Sequence, residues 1–206
     1  MEKYVIDGGP HTGKTTSLES LAKRGYEIVD ESARIIIKQE KAKQKADPGY
    51  TPILPETHLE KFQYLLYPLQ IKLESNIKSN KAVLDRSLVG GIAYMELGRI
   101  NVPEGYYDLI KSANYTKILF LEQLPFYKKD EARWEDETQA KIIHKKLYEV
   151  YDRMGYDIAK IPFFEEGTIE EGVEARTDFM EQQILKKDYY KLEDKLYIPR
   201  GELEYA

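Results

Sequence analysis

Cysteine is absent from the chain. That excludes disulfide frameworks, cysteine-type zinc fingers, iron–sulfur clusters and a thiol nucleophile. Histidine is scarce, and His11, His58 and His144 lie too far apart in sequence to suggest a His-rich metal site. No apolar run approaches the roughly 20 residues of a membrane-spanning helix. The apolar stretch before Gly8 is too short for the core of a signal peptide. A cytoplasmic chain without a membrane partner is therefore expected. A basic surplus is missing too: Lys and Arg number 31 against 36 acidic residues, net −5. No general nucleic-acid binding is expected from such a balance. There are no internal repeats and no low-complexity segments.

What is present fits a globular enzyme-sized domain. The chain has 206 residues, 42% hydrophobic and 33% charged, within the range of one domain. A chain of this length buries about 70% of its unfolded surface and needs no covalent staple. Short apolar runs alternate with helical patterns. Strands are expected at Lys3–Asp7, Tyr26–Val29, Lys81–Asp85, Thr116–Leu121 and Asp157–Ile161. Helices are expected at Thr15–Arg24, Ser32–Lys45, Thr57 to about Lys78, Ser87–Leu97, near Gly105–Ser112, Glu137–Met154 and Thr168 to about Lys186. Thr57 with Glu60, and Thr168 with Glu171, read as capping boxes. Pro68 should kink its helix, and the prolines of Asp47–Pro55 mark a loop. The lysine-rich end of the second helix reads as a solvated face. Strands separated by helices imply a parallel sheet covered on both faces.

The most specific motif is Gly8, Gly9, Pro10, His11, Thr12, Gly13, Lys14, Thr15, which fits G-x-x-x-x-G-K-[ST] between a strand and a helix. Glycines let successive backbone N–H groups converge on phosphate oxygens. The helix N-terminus that follows, running on into Thr16, adds partial positive charge. Lys14 is placed to reach the β- and γ-phosphates, and the Thr15 hydroxyl to ligate Mg²⁺. His11 fills a variable position. ATP or GTP is thus the expected ligand. A second element is the strand Val83-Leu84-Asp85 followed by Arg86. A carboxylate at such a strand end either supports the magnesium or caps the next helix. Arg86 suits bidentate phosphate recognition.

Asp85-Arg86-Ser87 resembles the Asp/Glu-Arg-Ser/Tyr/His signature of nucleoside and thymidylate kinases. Glu31-Ser-Ala-Arg34 is similar to the Glu-x-Ala-Arg element of small P-loop proteins of the AAA-type ATPase/kinase group and of ribosylnicotinamide kinase domains. Phe62-Gln63 resembles the pair that reads the base in deoxynucleoside kinases. Tyr127, Asp130 and Arg133 resemble a basic lid, and Gly155-Tyr156 with Ile161-Pro162 the group's last strand. Lys128 and Lys129 stand beside Arg133 where deoxynucleoside kinase lids carry several arginines. The segment 46–56 and the tail match nothing in the group.

The resemblance implies a three-layer α/β P-loop NTPase fold, nucleoside/nucleotide kinase-like, with a five-stranded parallel sheet in the order 2-3-1-4-5. It implies one domain over residues 1–186, with a lid at about 124–136 and a tail at 187–206. In the kinase reading Lys14, Arg86 and Arg133 surround the moving phosphoryl group, and Glu31 accepts the proton of an acceptor hydroxyl. Alternatively, Glu31 complements a helix dipole. Arg34 either holds Glu31, binds an acceptor phosphate or lies free on the surface. Phe62 and Gln63 either meet a planar base or serve helix packing. Trp134 either closes over the nucleotide or packs. The expected function is an ATP- and Mg²⁺-dependent phosphotransferase with a small nucleoside- or nucleotide-like acceptor. The rivals are an ATPase module without an acceptor and a polynucleotide 5′-kinase. The tyrosine-rich tail could pack on its own domain or on a second copy, a homodimer.

Overall fold

A computed structural model describes residues 1–125, 136–165 and 167–192, with side chains up to residue 185. Arg133 and Trp134, with Tyr127, Lys128, Lys129 and Asp130, lie outside the described residues, as does the tail after residue 192. The elements are β1 (Glu2–Asp7), α1 (Lys14–Lys23), β2 (Glu27–Val29), α2 (Ser32–Ala46), α3 (Leu59–Ser75), β3 (Lys81–Asp85), α4 (Leu88–Leu97), α5 (Tyr106–Ala113), β4 (Lys117–Leu121), α6 (Glu137–Arg153), β5 (Ile158–Ile161) and α7 (Ile169–Leu192). The strands form one parallel sheet in the order β2-β3-β1-β4-β5.

Strand β1 shows why the sheet sits in the middle. Its side chains alternate between faces, and both faces are apolar. Tyr4 and Ile6 join Leu18 and Leu21 of α1 and Met180 and Ile184 of α7. Val5 joins Val89 and Ile92 of α4 and Leu147 and Val150 of α6 on the other face. Three layers result, as expected. The register pairs Ile6 with Asp85 and Asp7 with Phe120. The carboxyl ends of β1 and β3 thus lie side by side, at the edge where parallel sheets bind ligands.

Local signals hold in several places. Thr168 and Glu171 form their reciprocal box, with backbone N–H to side-chain oxygen distances of 2.8 and 3.1 Å. A box the sequence reading missed opens α6, where Asp136 and Gln139 bond each other's backbone N–H. The box expected at Thr57 does not form. Leu54 O takes the N–H of both Thr57 and His58, at 3.2 and 2.8 Å, in a turn that ends before the helix. His58 becomes the N-cap, and its side chain makes no cap bond to the helix. Helix α3 runs on through Pro68 and stops at Ser75, short of Lys78. Helix α7 continues past Lys186 to Leu192.

The lysine-rich end of α2 is not wholly solvated. Glu40 is buried. Its carboxylate accepts from Tyr50 OH at 2.6 Å and from the Ile53 N–H at 2.9 Å, and pairs with Lys43 at 2.6 Å. Bonds from Lys43, Tyr50 and the Ile53 backbone hold its carboxyl down at about 2. Glu40 therefore pins the loop between α2 and α3. Glu40→Ala should cost about 1–3 kcal/mol, the range for losing charged hydrogen bonds, and should speed cleavage between residues 47 and 55. Urea unfolding and limited proteolysis check this.

Candidate active site

The loop between β1 and α1 curls through positive φ at Gly8 (148°), His11 (60°) and Gly13 (78°). At Gly9 a side chain is sterically excluded. A Cβ there would lie 2.7 Å from His144 Cβ and 2.9 Å from Ala140 O. Helix α6 is thus seated directly on the loop. His144 Nδ1 accepts the Gly9 N–H at 3.2 Å. Burial, then the Lys14 charge, pushes the His144 ring down, so it sits there neutral. Gly13 is the N-cap of α1 and makes no side-chain cap bond. The first-turn amides, Lys14 to Thr16, therefore keep their donors for an anion. Thr16 is exposed, and Thr12 is buried with its hydroxyl on Gly9 O.

Lys14 is buried, with Nζ 2.8 Å from both Gly8 O and Gly9 O and 3.3 Å from Thr12 Oγ1. Burial, then the Arg86 guanidinium, pushes its ammonium down to about 7. A bound polyphosphate favours the charged form, so nucleotide binding above pH 7 must take up a proton. Affinity for Mg-nucleotide should then fall about tenfold per pH unit above 7, by proton linkage. Calorimetry between pH 7 and 9, in buffers of different ionisation heat, measures both the fall and the proton.

Arg86 follows β3 in the left-handed region, at φ 70°. A non-glycine residue held there is strained, and such strain persists only where the surroundings enforce it. Its N–H bonds Ile6 O at 3.0 Å, Nη1 bonds Asp7 Oδ1 at 3.1 Å, and Nε lies 2.7 Å from Glu31 Oε1. The Tyr94 ring covers the guanidinium at 5.6 Å. Asp7 also accepts the Gly8 N–H at 2.8 Å and Tyr151 OH at 2.7 Å, and Tyr151 bonds Ser87 at 2.8 Å. One buried carboxylate thus ties the loop, Arg86 and α6 together.

Glu31 is the N-cap residue of α2, yet its side chain makes no cap bond. Its second oxygen takes Arg34 Nε at 2.9 Å, while Arg34 Nη2 reaches Thr15 Oγ1 at 2.9 Å. Burial raises the Glu31 pKa, but Arg86, Lys14 and Arg34 outweigh it and hold the carboxyl below its usual range. Asp85 does not cap α4; Ser87 does, accepting from the Val89 N–H. Asp85 is buried, its Oδ1 has no hydrogen-bond partner, and burial followed by Glu31 raises it to about 6. An orphaned carboxylate oxygen at the mouth of an anion loop fits a hard, oxygen-ligated cation such as Mg²⁺. Thr15 and Asp85 are the residues that would hold it.

Beside this cluster opens a cavity of about 1070 Å³ between α2, α3, α4 and α6. Lys14, Glu31, Arg34 and Arg86 line one part; Phe62 and Gln63 line another. Gln63 is 6% exposed, and its amide has no hydrogen-bond partner among the described residues. Phe62 is 2% exposed. At Gly91 a Cβ would lie 2.6 Å from Tyr106 OH, so only glycine admits that ring against α4.

Asp7, Tyr151, His144 and Arg176 were not picked out from the sequence. Asp7 had a signal, a carboxylate ending an apolar strand next to the glycine loop. The others had none, because their partners are remote in the chain. Arg176 of α7 is buried and donates to Thr12 O at 2.7 Å, Glu122 O at 3.0 Å and Ile161 O at 3.1 Å. It clamps the glycine loop to the ends of β4 and β5. Burial pushes it down to about 10, so it stays charged at neutral pH. Ile161 O keeps a second donor, the Glu122 N–H. Arg176→Ala orphans the other two carbonyls and should cost about 2–4 kcal/mol, read as a lower urea midpoint.

The sequence model of the AAA domain family matches residues 3–171. No curated protein matches. Among solved structures, deoxyadenosine kinase from M. mycoides, with products dCMP and a flexible dCDP bound, superposes with TM-score 0.57 at 17% identity, over 89% of this chain and 98% of that one. Thymidylate kinase from Ehrlichia chaffeensis gives 0.54 at 12% identity over 89% and 98%. NadR protein in complex with NR gives 0.55 at 19% identity, over 87% of this chain and 51% of that one. At such identities the likeness is one of fold. Both sequence and topology place the chain among the P-loop proteins: it belongs to the AAA domain family and has the fold of the nucleoside and nucleotide kinases.

Proposed function

We propose that the protein is an ATP- and Mg²⁺-dependent phosphotransferase whose acceptor is a small nucleoside- or nucleotide-like molecule. The observation that carries this reading is the chamber beside the glycine loop. It is open, it has room for a nucleoside beyond the loop, and Glu31, Gln63 and Arg86 all line it. An ATPase without an acceptor would need the part at the glycine loop, but not the extension past Glu31 to Phe62 and Gln63.

The reaction asks the protein for position and charge more than for covalent help. Lys14 leaves the Gly8 and Gly9 carbonyls and meets the β- and γ-phosphates. A bound Mg²⁺ would neutralise phosphate charge beside Thr15 and Asp85. Arg34, now on Thr15 Oγ1, gives up that hydroxyl and keeps Glu31. Glu31 stays ionised at neutral pH and orients the acceptor hydroxyl. The acceptor oxygen forms the new bond to the γ-phosphorus, the bond to the β–γ bridging oxygen breaks, and the hydroxyl proton passes to Glu31. Arg86 faces the transferring group, fixed by Asp7. Arg133, from the lid, is the proposed additional positive charge there. Phe62 and Gln63 hold a planar base by contact and by paired donor and acceptor.

ADP formation from Mg-ATP against a panel of nucleosides and nucleotides tests the reading. Stimulation by one member, with its phosphorylated product in the mass spectrum, is the expected result. Slow hydrolysis indifferent to every acceptor would overturn it.

A further inference from the structure

Helix α2 turns a row of cations toward the cavity. Arg34, Lys38 and Lys41 all line it. They recur at helical spacing, with Lys38 about 6 Å and Lys41 about 10 Å beyond Arg34 along the axis at 1.5 Å per residue. Arg34 is committed to Glu31 and Thr15. Lys38 and Lys41 are exposed and make no ion pair among the described residues. One further carboxylate, Glu56, lines the cavity and pairs with neither. The facing wall on α3 is different: Leu59, Phe62, Gln63, Leu66, Tyr67 and Gln70 carry no charge. The chain as a whole is net −5, so a chamber with two uncommitted lysines on one wall runs against the average surface.

We propose that the acceptor carries, besides the hydroxyl that meets Glu31, a separate anionic group seated against Lys38 and Lys41 on the α2 wall. The proposal rests on the phosphotransferase reading and names the substrate class: a hydroxyl compound bearing a phosphate ester away from its reacting oxygen. A neutral nucleoside leaves that wall unused. A cationic nucleoside is repelled by it. A phosphate at the reacting position itself would instead meet the Glu31 carboxylate, which Arg86 and Arg34 keep ionised. The geometry therefore favours a phosphate set apart from the accepting oxygen, on the side of the chamber that Lys38 and Lys41 line.

The probes are the four common ribonucleosides, their 3′-monophosphates, their 5′-monophosphates and nicotinamide riboside. In the 3′-monophosphates the 5′-hydroxyl is free and the phosphate is distal. The readout is kcat/KM for ADP formation. The 3′-monophosphate should exceed its parent nucleoside by about tenfold or more, and the ratio should shrink with added salt, since exposed charges are screened. In the double variant Lys38→Ala, Lys41→Ala the same ratio should fall toward one. Both side chains are exposed and unpaired, so the variant should fold; its melting temperature is measured alongside.

A ratio that persists in the double variant overturns the assignment of the α2 wall. Neutral nucleosides or nicotinamide riboside as the preferred acceptors, or a 5′-monophosphate converted to its 5′-diphosphate, overturn the distal-phosphate class while leaving the phosphotransferase standing. If no probe raises ADP formation above hydrolysis, the phosphotransferase reading falls and this one with it.

Discussion

Lys14→Ala should leave a folded protein with no measurable phosphoryl transfer. Lys14 is the buried ammonium of the glycine loop, held 2.8 Å from two of the loop's own carbonyls. Preorganised charge of this kind is worth the most where charge moves, in a site shielded from water. Losing a single preorganised donor costs about 10²–10³ in rate in other enzymes. Here the donor is a full charge, so a loss at or above the upper end is expected in ADP formation, with or without an acceptor. The variant should also bind Mg-ATP more weakly, and the pH dependence of binding above 7 should vanish, since the titrating group is gone. That second readout separates Lys14 from a merely structural role: a loop that had collapsed would lose binding at every pH, whereas loss of one ammonium flattens the profile.

The glycine loop was legible because its geometry is local. Positive φ at Gly8 and Gly13, and the helix N-terminus that follows, are properties of adjacent residues, and the motif encodes them directly. Layering was legible for the same reason, from apolar alternation in β1. Sheet order came from the kinase resemblance, because spacing alone does not rank strands. What stayed hidden is what depends on separation along the chain. Arg176 clamps Thr12 across 164 residues, Tyr151 bonds Asp7 across 144, and His144 meets Gly9 across 135. The error at Thr57 is instructive in the opposite sense. A correct local pattern lost to a competing local turn at Leu54 that captured the same backbone donor.

The far end of α2 is solvent-facing as expected at every position but one. A lysine-rich run reads as solvent-facing, and most of it is. Glu40 is the exception because the following loop folds back and supplies Tyr50 OH and the Ile53 N–H to its carboxylate. The same fold-back leads the chain to Pro55 and Glu56, which line the cavity. A segment that matches nothing in the kinase group thus shapes the chamber where the acceptor is proposed to sit.

Glu31→Gln should lower kcat for phosphoryl transfer by about 10²–10⁴-fold, the usual contribution of a general base, while Mg-ATP still binds. The side chain keeps its size, and the amide oxygen can still face one guanidinium. It loses the negative charge that Arg86 and Arg34 now share, at 2.7 and 2.9 Å. Two arginines would then stand close together with one carboxylate fewer between them. Arg86 retains Asp7 and Asp85 nearby, so its position should survive; Arg34 is half exposed and can turn to solvent. A split between kcat and nucleotide affinity is therefore the signature sought. Calorimetry of Mg-ATP binding and acceptor-dependent ADP formation give the two numbers. Equal loss in both would mean that Glu31 only braces the site, and an unchanged kcat would remove it from the chemistry. Acid should act in the same direction as the substitution, but only well below neutrality, because the surrounding cations keep the Glu31 carboxyl under its ordinary range.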